Sequence, residues 1–289
     1  MHPRDVPLRC TGDAKEKTLM FPFRRRGQVA VVELFGVIGG AIRSAVYGRI
    51  FDDIRRSRAI KAVVVDIDSP GGSAIASEYL HYSLSRVAES KPVVAFIGGM
   101  GASGGYMVSC AAQRIVALPG SMIGSIGVIS MRPILQELLE RIGISFSVSK
   151  SAPLKDMGAF YRQPTPEEET RMQALVDELY ASFVAKVAVA RHMTGEQAQA
   201  HATGEVFTGR KSLEMGLVDE LGDLDRAVEV AAGLAKVPVP RRPFYIRPRR
   251  PLRARLLGGF GASLAETLVE ETERRLMDRV FYLPPGWGM

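Results

Sequence analysis

Short apolar, largely β-branched runs recur in the first half of the chain: Val29-Ala30-Val31-Val32, Ala62-Val63-Val64-Val65, Pro92-Val93-Val94-Ala95-Phe96-Ile97 and Arg114-Ile115-Val116-Ala117-Leu118. None alternates with polar residues, so each predicts a strand buried on both faces, as in a parallel sheet covered by helices. The segments between and after them, Gly72 to Ser90, the stretch opening at Ser103, and Pro133 to Arg141, are helix-compatible, and the alternation reads as βαβ. A long helix is expected from Thr165 as N-cap, with Pro166 at its first position and Glu167-Glu168-Glu169 in its first turn, to about His192. Met172, Leu175, Leu179, Phe183 and Val187 form one apolar stripe along it, suited to a core contact or a subunit interface. Lys211 to Gly216 predicts a short helix ended by glycine, and another helix follows to about Ala235. Leu264, Leu268, Leu276 and Val280 repeat at helical spacing in a final amphipathic helix, roughly Ala262 to Phe281.

With 289 residues, 46% of them hydrophobic, the chain can bury a full core. Four parts are expected: a flexible leader over 1–26, a main domain over 27–235, a basic Pro/Arg-rich linker over 236–261, and the amphipathic helix and tail over 262–289. Much of the formal charge of +7 sits in that linker, which carries Arg241, Arg242, Arg247, Arg249, Arg250, Arg253 and Arg255 without an acidic residue. It reads as a solvated linker or as a peripheral contact with an anionic membrane surface; no nucleic-acid partner is expected. No window approaches the ~18 uninterrupted apolar residues of a membrane span, which predicts a cytoplasmic or peripherally membrane-associated chain. Cys10 and Cys110 have neither zinc spacing nor a CxxC pattern, so they define no metal site and no disulfide framework, and no cofactor is expected.

Two glycine-rich junctions carry candidate chemistry. Asp68-Ser69-Pro70-Gly71-Gly72-Ser73 leaves one strand for a helix through adjacent glycines, whose amides can stay open to a developing oxyanion. Gly98-Gly99-Met100-Gly101-Ala102-Ser103-Gly104-Gly105-Tyr106 follows the next strand. Small neighbours admit a substrate to Ser103, which can be a nucleophile, a helix N-cap, or both. Gly101 to Gly105 also fits the G-x-S-x-G elbow, which predicts a histidine base downstream. His192 ends the long helix and His201 lies in an Ala/Gln-rich stretch, while His81 precedes the serine on a helix; none has the loop setting of a triad base. A neutral lysine is the usual substitute, provided that burial lowers its pKa from ~10.4. Lys155, just after a predicted strand and among small and apolar residues, is the candidate.

In combination, Asp68-Ser69-Pro70-Gly71-Gly72, Ala102-Ser103-Gly104-Gly105-Tyr106, Gly124-Ser125-Ile126-Gly127-Val128, Lys155-Asp156-Met157-Gly158 and Thr208-Gly209-Arg210 with Gly216-Leu217-Val218-Asp219 resemble the signal peptide peptidase A (SppA) family over about residues 28–235. The resemblance implies a Clp protease/crotonase-like α/β fold: repeated ββα units, a largely parallel sheet flanked by helices, and here a C-terminal helical extension. It implies a serine endopeptidase with Ser103 as nucleophile and Lys155 as general base, 52 residues apart. The amides of Gly71 and Gly104 then form the oxyanion hole, and the Ser125 hydroxyl orients the Lys155 amine. Asp156 must point away, since its carboxylate would hold that amine protonated. The implied substrates are remnant signal peptides or other unfolded apolar segments, cleaved through an acyl-enzyme by a homo-oligomeric ring or bowl whose sites are completed by neighbouring subunits. A crotonase-like acyl-CoA enzyme, sharing the sheet and the oxyanion hole, and a non-catalytic membrane-associated scaffold are the alternatives.

Overall fold

The computed structural model of the chain describes residues 28–240 and 242–248. The expected leader, the final amphipathic helix, Cys10 and the linker beyond 248 lie outside the described residues. Each of the four apolar runs is a strand: β1 (Val29–Phe35), β2 (Ala62–Ser69), β3 (Val93–Ala102) and β4 (Arg114–Ala117). Between them stand α1 (Ser44–Arg56), α2 (Ala74–Ala88) and α3 (Gly104–Ser109). Further along come β5 (Met122–Gly124), α4 (Gln136–Arg141), a 3-10 turn (Pro153–Asp156), α5 (Pro166–Arg191) and α6 (Gly195–His201). The described chain closes with β6 (Val206–Thr208), α7 (Gly209–Glu214), β7 (Glu220–Leu221), α8 (Leu224–Leu234) and β8 (Phe244–Ile246).

The strands form one sheet in the order β6-β5-β3-β2-β1-β8, with β4 also on β3 and β7 on β4; only the β5–β6 pairing is antiparallel. The largely parallel sheet flanked by helices is therefore present. Its strands feed two cores by alternation. Ala30, Val32, Leu34, Val63, Val65 and Ile67 pack with Phe51 of α1 and with Leu80 and Leu84 of α2. Val29, Val31, Ala62, Val64 and Val94 pack on the other face against Ala227, Val228 and Ala231 of α8. Parallel registers such as Val32↔Val65 and Val65↔Ala95 bring the C-terminal ends of β1, β2 and β3 to the same edge. Both glycine-rich junctions emerge there.

Three expectations change. The linker contributes β8, where Phe244-Tyr245-Ile246 pairs parallel with Ala30-Val31-Val32, so the sheet extends past residue 235. No strand precedes Lys155: residues 144–150 have no regular structure, and Lys155 lies on the 3-10 turn. The long helix forms as expected, with Thr165 and Glu168 in a reciprocal capping box, but its stripe divides, because Phe183 and Val187 are buried while Leu175 is exposed. The stretch from Ile129 to Phe160 likewise leaves Ile129, Met131, Leu138, Ile142, Phe146 and Phe160 exposed. Such a run of uncovered apolar side chains is characteristic of a surface that meets another chain.

Truncating the α2 contact with the sheet tests the core. Leu80→Ala removes a fully buried side chain and is expected to lower the unfolding free energy by about 2–5 kcal/mol, read as a lower denaturant midpoint at unchanged slope.

Candidate active site

Ser103 sits where β3 ends and α3 begins, with φ 50° and ψ −120°. A non-glycine residue in that region carries strain of about 1–3 kcal/mol, held only when its surroundings leave no alternative. Here the Ser103 N–H donates to the Gly124 carbonyl at 2.8 Å, and the Ser103 carbonyl accepts from the Met107 N–H at 2.9 Å, which starts the helix. The hydroxyl does not cap α3, and it faces a cavity of about 690 Å³. Apolar side chains of Met107, Ile126, Tyr180 and Phe183 line that cavity.

The Pro70-Gly71-Gly72 loop passes so close to this turn that no β-carbon fits between them. A methyl group at Gly71 would lie 2.6 Å from the Gly104 nitrogen, and one at Gly104 would lie 2.0 Å from Ser77 Oγ. Both loop glycines have positive φ, 95° at Gly71 and 141° at Gly72. Their amides are used differently. The Gly71 N–H donates to Ser69 Oγ at 3.1 Å, and Gly71 does not line the cavity. Gly72 does line it, and its N–H takes no part in the bridge to Ile38, which uses the Gly71 carbonyl and the Ser73 amide. The Gly71 amide is thus engaged by Ser69, whereas the Gly72 amide stands beside the cavity. Gly104, at the first position of α3, also lines the cavity.

Ser125 lies across the cavity in a second left-handed conformation, φ 48°, with its N–H donating to the Glu205 carbonyl at 2.6 Å. Lys155 is absent from the lining and is exposed to solvent. The carboxylate of the neighbouring Asp156 is taken up by other side chains. It accepts from Lys150 at 2.7 Å, Arg162 Nε at 3.0 Å and the Tyr161 hydroxyl at 3.1 Å. Arg162 also pairs with Glu168 at 2.5 and 2.8 Å, tying the Lys155 turn to the start of α5. Arg162, followed by Lys150, holds the Asp156 carboxyl well below its ordinary range, and Arg162 with the Thr165 amide lowers Glu168 to about 2. Among the described residues no histidine lines the cavity; His81 places Nδ1 2.9 Å from the Met107 carbonyl.

Residues 85–238 match the model of peptidase family S49. The chain is also 38% identical over 244 residues to a protease-named protein of Synechocystis, covering 83% of this chain and 87% of that one. The chain belongs to peptidase family S49. Its relatives include the chloroplastic serine protease SPPA of Arabidopsis thaliana, 32% identical over 88% of this chain and 39% of that longer protein. Among solved structures, the 1510-N membrane-bound stomatin-specific protease matches with TM-score 0.48 and 18% identity, over 78% of this chain and 99% of that one.

As a family S49 serine peptidase, the chain uses its late motif to brace the serine turn. Tyr106, three residues after Ser103 and fully buried, donates its hydroxyl to the Leu217 carbonyl at 2.7 Å. Asp219 accepts from Arg191 at 2.8 Å, Arg114 at 3.2 Å and the Ile115 amide at 2.7 Å, so one carboxylate joins β4, α5 and the loop after α7. Thr208 caps α7 through the Lys211 amide, and Gly209 is required because a β-carbon there would lie 2.0 Å from the Leu118 carbonyl. Ser77 is a structural contributor that lies outside the motifs, and Gly72 and Tyr106 stand within them without a role of their own having been expected.

Two outcomes follow for this site. Gly72→Ala sets a methyl 2.2 Å from the Ile38 carbonyl and is expected to cost about 1–3 kcal/mol in thermal unfolding, with loss of activity. Because the folded-state pKa values of Asp156 and Glu168 are depressed, their contribution is present above the unfolded carboxylate range of ~4 and is lost as pH falls, through about 2 for Glu168. Amide hydrogen exchange around residues 152–170 should be protected at pH 6 and progressively unprotected below ~4.

Proposed function

We propose that the chain is an endopeptidase whose nucleophile is Ser103 and whose general base is Lys155 of a second copy, acting on unfolded apolar peptide segments such as remnant signal peptides. The observation that carries this reading is the Ser103 turn: a strained serine, uncapped, opening on an apolar cavity beside unspent amides. The exposed apolar stretch from Ile129 to Phe160 holds Lys155 outside its own cavity and gives a homo-oligomer a surface by which to bury that lysine against a neighbour.

In this mechanism Ser103 Oγ attacks the peptide carbonyl carbon while its proton passes to the neutral Lys155 Nζ. The oxyanion is met by the Gly72 and Gly104 amides, whose preorganised N–H dipoles stabilise charge that develops only in the transition state. Ser125 orients the amine, as a carboxylate orients the histidine of a triad. The C–N bond breaks as Lys155 returns the proton to the leaving nitrogen. Water then attacks the ester, giving its proton to Lys155, and Ser103 recovers its hydrogen as the acid departs. Asp156 remains in its Arg162 and Lys150 pairs, which spares the amine a counter-charge.

Ser103→Ala and Lys155→Ala are each expected to lower hydrolysis of a denatured protein by at least ~10³-fold, with assembly size unchanged by light scattering. Co-expression of the two variants separates the shared site from one built within a chain. Random assortment in a closed ring pairs an intact serine with a neighbour's intact lysine at about a quarter of the sites, and activity should return to that level. Co-assembled variants that stay inactive would reject the contribution from a second copy, and full activity of either single variant would reject that residue's role.

A further inference from the structure

A second cavity, of about 480 Å³, adjoins the one that Ser103 faces, and Val128 and Ile129 line both. Met172 and Val176 of α5 continue its apolar wall. Arg132 also lines it, and among the described residues its guanidinium makes no hydrogen bond and no ion pair. The Nη1 atom is shut away from solvent without a partner. That nitrogen is tucked against Gly158, where a β-carbon would lie 3.4 Å from it. Arginine keeps its charge at every ordinary pH, so a guanidinium held partly out of water without an acceptor is costly unless something supplies one. Glu169 lines the same cavity but forms no ion pair with Arg132, and it is exposed, so solvent carries its charge.

The backbone running from one cavity to the other is equally unspent. Ser125 gives its N–H to the Glu205 carbonyl and Leu135 gives its own to Phe160, but from Ile126 to Arg132 no backbone amide or carbonyl is hydrogen-bonded among the described residues. An extended peptide laid along this stretch finds an open edge, and its side chains can enter either cavity. Arg132 follows Ser125 by seven positions, which bounds the span at ~25 Å for an extended chain. The apolar walls suit methylene groups, and the guanidinium suits a carboxylate, which it can hold by two parallel hydrogen bonds. The substrate of an endopeptidase continues past the cavity in both directions, so the carboxylate belongs to a side chain rather than to a chain end. Glutamate carries both parts on one residue.

We propose that this second cavity is a subsite for an acidic side chain, glutamate above all, of the peptide being cleaved, and that Arg132 is the residue that reads it. The inference rests on the peptidase reading of Ser103 and adds a charge preference to it. Arg132 does not line the Ser103 cavity, so it selects among substrates and takes no part in breaking the bond. The acidic residue it favours lies within about seven residues of the scissile bond, the reach set by the span from Ser125.

Paired unfolded apolar peptides test the subsite, one carrying glutamate and its twin glutamine, with that residue moved in turn through each position up to about seven from the cleaved bond. The native full chain is expected to cleave the best-placed glutamate peptide with kcat/KM about tenfold above its twin, mostly through KM, and Arg132→Gln to bring the ratio to about one. Arg132→Lys, which keeps a charge but loses the planar fork, should retain part of the ratio. Equal rates for the twins at every position in the native chain overturn the proposal without any variant. A ratio that survives in Arg132→Gln also overturns it, and a change of assembly size by light scattering in that case assigns Arg132 to a carboxylate of a neighbouring copy. Binding of the same labelled twins to Ser103→Ala, followed by fluorescence anisotropy, separates this inference from the reading beneath it. Preferential binding of the glutamate peptide with no hydrolysis by the native chain keeps the subsite and rejects the peptidase, whereas hydrolysis with equal binding and equal rates rejects the subsite alone.

Discussion

Two backbones meet without room for a β-carbon where the loop after β2 passes the turn after β3, and the site depends on that contact. Gly71 lies against Gly104 and Ser103, and Gly104 lies against Ser77. Parallel pairing of β2 with β3 brings the two loops to the same edge, and glycine lets them close on each other. The closeness forces Ser103 into its strained conformation, commits the Gly71 amide to Ser69, and leaves the Gly72 amide beside the cavity.

Around this contact the molecule is built unevenly. The sheet, α1, α2 and α8 bury two continuous apolar layers, and Tyr106 and Asp219 couple the serine turn to the end of the family match. The stretch from Ile129 to Phe160 is held differently, through Asp156, Arg162 and Glu168, with much of its apolar surface uncovered. Charge pairs fix the local shape of the Lys155 turn, whereas covering its apolar side chains requires another surface. That division sets a tightly held serine turn beside a segment whose apolar surface stays uncovered.

The four strands were legible because each is an unbroken β-branched run, and α5 because Thr165, Pro166 and Glu168 spell out a helix start. Several elements escaped, α1 and β8 among them. In α1 the buried Tyr47, Phe51 and Ile54 lie at helical spacing but are separated by arginines and aspartates that mute the pattern. In β8 three residues flanked by proline and arginine read as linker, and only the free edge of β1 makes them a strand.

The choice between Gly71 and Gly72 shows where one-dimensional reading stops. Residue types and order determined the chemistry on offer: a serine in a glycine turn, a lysine without a histidine rival, and strands apolar enough to be buried on both faces. Which adjacent amide remains open depended on Ser69 and Ile38, residues whose approach is set by strand register. The exposure of Lys155 likewise depended on packing, since the segment around it leaves much of its apolar surface uncovered. Local composition records what each residue can do, while hydrogen-bond competition and burial are settled between segments distant in the chain, and only packing brings those segments together.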